Sequence, residues 1–468
     1  GDLYCASCCD SDRPLYCCLS YYEGFLYCNK CLVHHHYGNP FHHIQEWNRH
    51  CFIKNTLHML GVHLALGHDE GDACPCTISS VLQVINVDSI HQLTVNYCNC
   101  RKALPCWQQL LHAHLFPSTV MEPQIVATFC SLEVFQLLSF MSKVMGYKFY
   151  HILARLMDNT GTTTPTIMSA WMHMIREWRH LKLLKPILQS GTLVVQCPAC
   201  PWPGLNMPEG WQSDPENPCV HTFFLAINAN FCLVQFHASN GQKDPSLNQG
   251  AAFLIEQEVF HRHITKYGHR LPHDLSNCSQ HNTVKSVTRH QGQGLATSGT
   301  VTVDCAWHNC KNPSSVPILD VGEEQVQMDY FFLHRLLHSS PPQIVVSYDI
   351  TCQWSKKLWE QIGIYPTDLM PAQGPSDITF LVLKFHLPTY IPCCHAWFSF
   401  WKTPNIGQTD GKAPEHGWGN TNKLAGSMKN MGPGSYLDTI DDHLGDFNWW
   451  KSTLLGEHSL AVSHHLHT

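Results

Sequence analysis

TFFLAINANFCL, residues 222–233, is the stretch on which the fold turns. Phe223, Phe224, Leu225, Ala226 and Ile227 form an unbroken apolar run. Asn228 interrupts it, and Ala229, Asn230 and Phe231 follow. A run of this kind reads as a strand buried on both faces. Such strands often end at a site, and a metal site would want a carboxylate there. An amide in that place is either the cap of a turn or a residue that needs explaining.

QIVVSYD (343–349) repeats the buried-strand pattern and puts Asp349 at its end. GQTDGKAPEHGW (407–418) puts Glu415 in front of an expected helix. Two-metal phosphoryl-transfer sites need acidic side chains converging from separate elements, because they hold two divalent ions about 4 Å apart. Asp329 and Asp410 are reserve candidates. Strand-like runs also occur at Val81 to Val87 and Leu93 to Tyr97. Residues 122–158 and 165–185 look helical, with Phe129, Leu132, Phe135 and Leu138 at helical spacing, as are Phe149, Leu153 and Leu156. These stripes are core packing, and Asn159-Thr160-Gly161 is a helix stop. Residues 265–325 are polar and turn-rich and read as an irregular insertion. The tail from 407 is Gly-rich and then helical. Together these patterns give a mixed α/β protein.

The chain has 468 residues, 44 % hydrophobic and 14 % charged, enough for several domains with a sizeable core. No apolar stretch approaches the roughly 20 residues of a membrane helix, so no membrane partner is expected. The opening GDLYCASCCD lacks the basic and apolar regions of a secretory signal. The formal net charge is −7, with 34 His against only 10 Arg. A nucleic-acid binder is usually basic on at least one face, so DNA binding would have to rest on local charge.

Many of the 24 cysteines fall in close pairs beside His, which favours zinc in a reducing compartment over disulfides. The first cluster is Cys5-x-x-Cys8, Cys17-Cys18, Cys28-x-x-Cys31, His36 and His42. Pairs at this spacing hold zinc on tight turns. A cross-brace would give one zinc to Cys5, Cys8, Cys28 and Cys31. The other would take Cys18, His36, His42 and the residue three beyond Cys18, which is Tyr21, a poor ligand. One full site and one damaged site are expected, with Cys9, His34 and His35 as bystanders. The second cluster is His68, Cys74, His91, Cys98 and Cys100. The third is Cys197-x-x-Cys200, joined by Cys305-x-x-His308 to close one tetrahedral site.

Several ordered stretches carry a resemblance: GNPFHHIQEW (38–47), MIREWRHLKLLK (174–185), CPACPWPG (197–204), INANFCL (227–233), DPSLNQGAAFLIEQ (244–257), MDYFFL (328–333), SYDITCQW (347–354), KFHLP (384–388) and GSMKNMGPGSYLDTIDDHLGDFNWWK (426–451). Through them the chain resembles the Kyakuja–Dileera–Zisupton (KDZ) transposases of fungi with their CxC-type cysteine-cluster domain. The resemblance implies a ribonuclease-H-like core with insertions, at 191–468. A zinc cross-brace (1–50), a cysteine-cluster region (51–115) and a helical region (116–190) would precede it. It implies structural Zn²⁺, Mg²⁺ or Mn²⁺ in an intact member, and DNA as partner, as transposon ends and target. A nuclear location and a possible homo-oligomer go with that.

The departures from the family pattern matter as much. Asn228 stands where the first core strand usually has Asp, so positions 228, 349 and 415 would form a catalytic set with a degraded first member. Tyr21 stands for Cys. Gln408, Lys412 and His416 stand for Arg, Glu and Arg. Trp307 stands for Arg and Tyr390 for His. Each change needs one C-to-T or G-to-A transition, and low Arg with high His, Cys and Trp fits that bias. The expectation is a transposase polypeptide inactivated by cytosine deamination. The competing readings are an active transposase using another acid, and a non-catalytic zinc-dependent DNA-binding protein.

Overall fold

The structure is a computed structural model. It describes the backbone except at residues 1–3, 11–13, 69–73, 161–164, 191–193, 212–217, 238–242, 271–293, 321–323, 338–340, 408 and 467–468. Side chains are described outside those residues and outside 186–190, 218, 270 and 456–466. The chain divides into two compact units, Gly1–Arg179 and His180–Thr468.

The first unit holds two sheets. The smaller has β1 (Leu15–Cys18), β2 (Leu26–Cys28), β3 (Ile44–Trp47) and β4 (Phe52–Asn55) in the order β2-β1-β3-β4, all antiparallel. The larger has β5 (His63–Ala65), β6 (Thr77–Ile85), β7 (Ile90–Cys98), β8 (Leu115–Pro117) and β9 (Ile125–Thr128) in the order β5-β7-β6-β9-β8. The stretch 122–158 therefore opens on a strand, not a helix. Ile125–Thr128 is β-branched at three of its four positions, which favours the extended form. Thr128 then caps the Phe129–Ser142 helix, its hydroxyl accepting from the Ser131 amide at 3.2 Å. The Gly146–Met157 helix ends just before Asn159, as the stop signal predicts. Leu132, Phe135, Phe149, Leu153 and Trp171 bury these helices in one core with Ile85 and Ile90 of the sheet.

The second unit is organised by a five-stranded mixed sheet. Its strands are β10 (Phe223–Asn230), β13 (Gly299–Cys305), β14 (Ile318–Leu319), β15 (Ile344–Ser347) and β16 (Ile378–Leu381), in the order β14-β13-β10-β15-β16. A two-stranded ribbon, β11 (Gln235–Phe236) with β12 (Leu295–Thr297), lies between β10 and β13 in sequence. β10 runs antiparallel to β13 and parallel to β15; β15 is parallel to β16. Helices connect the parallel strands: Gln325–Leu337 precedes β15, and Thr351–Gln361 joins β15 to β16. β10 is central and covered on both faces, which explains its continuous apolar run. Phe223, Leu225 and Ile227 join the larger core, and Phe224 and Ala226 a second core with Val345, Leu381 and Ala413. The strand continues past Asn228 to Asn230.

The reading of 265–325 as an irregular insertion is corrected for its described part. GTVTVDC (299–305) is a core strand with every residue buried. Its alternating threonines look like a solvent face, but their hydroxyls are satisfied internally. Thr300 donates to the Pro317 carbonyl at 2.8 Å and Thr302 to Asp304 Oδ1 at 2.6 Å. Gly299 lies so close to Asn230 that a Cβ would come within 2.5 Å of its carbonyl oxygen.

The stretches 244–257 and 426–451 lock to each other. On the Pro433–Leu466 helix, Asp438 accepts from Ser246 Oγ at 2.7 Å. Asp441 accepts from the Phe253 and Leu254 amides at 3.1 Å and from Asn248 Nδ2 at 3.0 Å. These acids hold the fold together and face no open site.

Candidate metal centres

Among the described residues, the thiol and imidazole groups whose ligand atoms lie within 4.8 Å of one another include three tetrads and one triad. The described cysteines are all free thiols. Cys5, Cys8, Cys28 and Cys31 form the first tetrad, with Cys8 and Cys28 sulfurs 3.7 Å apart. β1 and β2 with the start of the Asn29–His35 helix carry the second pair to the first. Burial pushes the Cys5 thiol up, but the amides of Cys28, Cys8 and Ser7 outweigh it and bring it down to about 6. A thiolate is the form a metal takes.

Cys18, His36 and His42 form the triad. His36 Nε2 lies 3.2 Å and His42 Nδ1 3.6 Å from the Cys18 sulfur. His36 Nδ1 donates to the Leu32 carbonyl at 2.9 Å, which leaves the Nε2 lone pair facing the site. The Tyr21 ring stands 5.0 Å from His36 and 5.1 Å from His42, beside the place a fourth ligand would fill. Its hydroxyl donates to the His35 carbonyl.

The second cysteine cluster closes as His68, Cys74, Cys98 and Cys100. His68 Nε2 is 3.2 Å from Cys98 and 3.7 Å from Cys100. His91 is not part of it. It sits on β7, where it faces His43 and Asp88 instead.

In the second unit Cys197, Cys200, Cys305 and His308 converge across more than a hundred residues of chain. Cys200 and Cys305 sulfurs are 3.1 Å apart, and His308 Nδ1 is 3.3 Å from both Cys197 and Cys305. The three thiols are buried. Hydrogen bonds from Cys200 and Cys305 pull Cys197 far down, while the same contacts push Cys200 well up. Several buried thiolates cannot share one small space without a cation, so this donor set fits a tetrahedral zinc-type ion. Cys310 is a further buried thiol on the rim, missed by the spacing argument.

The acidic positions come from three elements. Asn228 lies on β10, Asp349 two residues past β15, and Glu415 in the first turn of the Ala413–Thr421 helix. The parallel register pairs Ala226 with Ser347. Two residues further on, β10 carries Asn228 on the same face as Ala226, and the turn after β15 carries Asp349. His386 joins the two acids: its Nε2 is 3.5 Å from Asp349 Oδ1 and 3.3 Å from Glu415 Oε1. Lys412 Nζ takes the other Glu415 oxygen at 2.8 Å. Asn228 Oδ1 accepts from Trp418 Nε1 at 3.0 Å, and the Lys311 ammonium lies 4.8 Å over the Trp418 ring. The Tyr390 hydroxyl donates to the Asp349 carbonyl.

The hydrogen bond from His386 outweighs burial and, with Lys412, holds Glu415 down at about 2. The Glu415 contact in turn raises His386 above its ordinary value, with Asp349 adding to the effect. Two carboxylates against one ammonium leave a net −1 around the site, before any charge on His386.

Residues 221–448 match the family model of the Kyakuja-Dileera-Zisupton transposase. Residues 57–161 match that of the CxC2 like cysteine cluster associated with KDZ transposases. The chain carries a KDZ transposase domain. No curated protein and no solved structure gives a match.

Within the KDZ domain, two positions weighed earlier lie outside the acidic group. Asp329 is fully buried on the Gln325–Leu337 helix and accepts from Trp354 Nε1 at 2.8 Å, Tyr365 at 2.6 Å and Gln325 at 2.8 Å. Its burial pushes it up to about 7. Asp410 caps the Lys412 amide at 2.9 Å and lies 3.7 Å from His416. Trp307 is about half-exposed and covers Gly407, where a Cβ would come within 2.6 Å of the indole. Gln408 lies outside the described residues. His386 was missed by reasoning on acids alone; the signal was the KFHLP stretch, which the resemblance had already picked out. Among the described residues, no helix is long and apolar enough to cross a membrane.

Proposed function

We propose that this chain is a transposase polypeptide with a ribonuclease-H-like core that no longer cuts or joins DNA. The strand order and directions support that core: three antiparallel strands lead into two parallel ones, with a helix before each of the latter. The family match supports DNA, as transposon ends and target, as the partner. A nuclear location and a homo-oligomer belong to the same reading.

The observation that carries the loss of activity is the charge of the acidic group. In an intact relative, two Mg²⁺ or Mn²⁺ ions would activate water or a 3′-hydroxyl and stabilise the leaving oxygen. Their mutual repulsion has to be offset by carboxylates. Here an amide occupies position 228, and Lys412 neutralises Glu415. An amide binds a hard cation less well than a carboxylate does. Asp304, which pairs with Ala226 on the same sheet face, does not substitute for a carboxylate at 228, because its own is fully buried against Lys311. The complete thiol and thiol–imidazole tetrads favour a protein that still folds around zinc, and the second reading is that it binds DNA without catalysis. The suite of single-transition departures supports decay by cytosine deamination.

The full chain, given Mg²⁺ or Mn²⁺ and DNA bearing its own flanking terminal repeats, should leave the strands intact. Asn228→Asp with Lys412→Glu should restore activity where Asn228→Asp alone does not. Each 1.36 kcal/mol of recovered transition-state stabilisation is worth about tenfold in rate. Metal-dependent cleavage by the unaltered chain, abolished by Asp349→Ala, would overturn the reading.

A further inference from the structure

Within the first unit, one group of metal-type ligands belongs to neither the cysteine clusters nor the acidic site. His43 immediately precedes β3, Asp88 lies in the turn between β6 and β7, and His91 is on β7. Their ligand atoms lie within 4.8 Å of one another. His43 Nε2 is 3.3 Å from Asp88 Oδ2, and His91 Nε2 is 3.1 Å from Asp88 Oδ1. The two rings stand 5.1 Å apart, so both imidazoles point at one carboxylate. The carboxylate is itself held in place. Asn86 Nδ2 donates to Asp88 Oδ1 at 2.8 Å, and the Thr128 hydroxyl donates to Asn86 Oδ1 at 2.9 Å. Phe41 packs against the His91 ring at 5.5 Å.

We propose that His43, Asp88 and His91 bind a divalent zinc-type ion through two imidazole nitrogens and one carboxylate oxygen. Imidazole suits zinc, copper, iron and nickel, and a carboxylate completes such sets. The arrangement has the outer support that metal ligands usually carry, here the Asn86–Thr128 chain behind Asp88. Three protein ligands leave a tetrahedral ion one position for water. The site is partly open, with Asp88 at 41 % exposure, and it contains no sulfur. It should therefore hold its ion more weakly than the thiol tetrads and exchange it faster. Its position gives it a structural task. His42 is a ligand candidate of the cross-brace triad and His43 follows it directly, so the ion pins the end of the cross-brace to the β6–β7 hairpin.

The test uses the full chain with its metal replaced by Co²⁺. Thiol sites give intense sulfur-to-cobalt charge-transfer bands. The proposed site should add one further ion, of lower affinity, with weak visible bands and no sulfur band. Asp88→Asn should lower affinity for that ion by at least on the order of a hundredfold, and leave the sulfur bands unchanged. His43→Gln with His91→Gln should remove it. On the unaltered protein, a chromogenic chelator should release zinc in a fast phase before the sulfur-bound ions leave. Equal cobalt uptake by the wild type and both variants would overturn the proposal, as would zinc release in a single phase. The three residues would then be an ion pair only.

Discussion

The second unit builds two candidate metal centres on opposite faces of the same strand pair, and they differ in every physical respect. Cys305 pairs with Leu225 and joins the larger core, together with Cys197 and Cys200. Asn228 pairs with Thr302 and belongs to the other face. The thiol centre is buried and has its four ligands. The acidic centre is partly open, has an amide at one position and carries an ammonium ion on Glu415. On the proposed function, the difference follows from what each centre does for the fold. A structural ion contributes folding free energy directly, so losing a ligand there costs the protein its structure. A carboxylate that serves only chemistry can be replaced without unfolding anything. At 228 the amide accepts the same kind of hydrogen bond from Trp418 that a carboxylate would.

The largest expected effect tests that asymmetry. Cys200→Ser should abolish cooperative folding of the second unit, whereas Asn228→Ala should cost no more than about 1–3 kcal/mol through the unpaired Trp418 donor. Thermal melts and zinc analysis of both variants would check this. Equal destabilisation would mean that the thiol tetrad is not a structural metal site.

The cross-brace offers the same comparison at smaller scale, between its tetrad and its triad. Tyr21→Cys should convert the weaker Cys18–His36–His42 position into a full four-ligand site, as the ring already stands about 5 Å from both imidazoles. Zinc titration of the full chain should show one site move from the weak to the tight class. A titration unchanged by the substitution would show that Tyr21 does not occupy the ligand position.

How far the sequence spoke depends on whether a residue's role is local. TFFLAINAN announced a central strand because both its faces are apolar. The pairing of Cys197-x-x-Cys200 with Cys305-x-x-His308 was legible despite its length, because two half-sites of matching spacing need each other. GTVTVDC was not legible, since buried threonines that satisfy one another look like surface. His91 was assigned to the wrong neighbours because closeness in sequence to Cys98 says nothing about which side of a strand pair it faces. The bridge made by His386 required the register of β10, β15 and the 413–421 helix, which exists only in three dimensions.

The acidic centre should also carry a pH signature. The imidazole of His386 is raised above its ordinary 6.5, so its contribution is fully present below that value and is lost as pH rises through the raised one. Glu415 is held at about 2 instead of 4.5, so its contribution is present above 4.5 and is lost as pH falls toward 2. The contact is complete between those unfolded values. His386→Gln should destabilise the chain by about 1 kcal/mol at pH 5.5, discounted for the solvent both groups still meet, and by less at pH 8.5. Urea unfolding at the two pH values measures it. A difference independent of pH would mean that His386 acts by packing alone.

The smallest effect concerns stability least and DNA most. Trp307 and His416 are exposed, and His416 is 3.7 Å from Asp410. If arginine at these positions and at 408 reaches phosphate, each restored contact releases about one counterion on binding. Trp307→Arg, Gln408→Arg and His416→Arg together should then steepen the dependence of log affinity on log salt by up to about three units, while leaving the melting temperature nearly unchanged. The expected packing cost comes from removing the Trp307 ring from over Gly407 and from its edge-on contact with Phe224 at 5.7 Å. Fluorescence anisotropy with a labelled duplex at several salt concentrations reads the slope. A parallel slope in the triple variant would place these three positions away from DNA. It would also remove them from the losses proposed above, leaving the acidic centre at 228 and 412 to carry the proposed inactivity by itself.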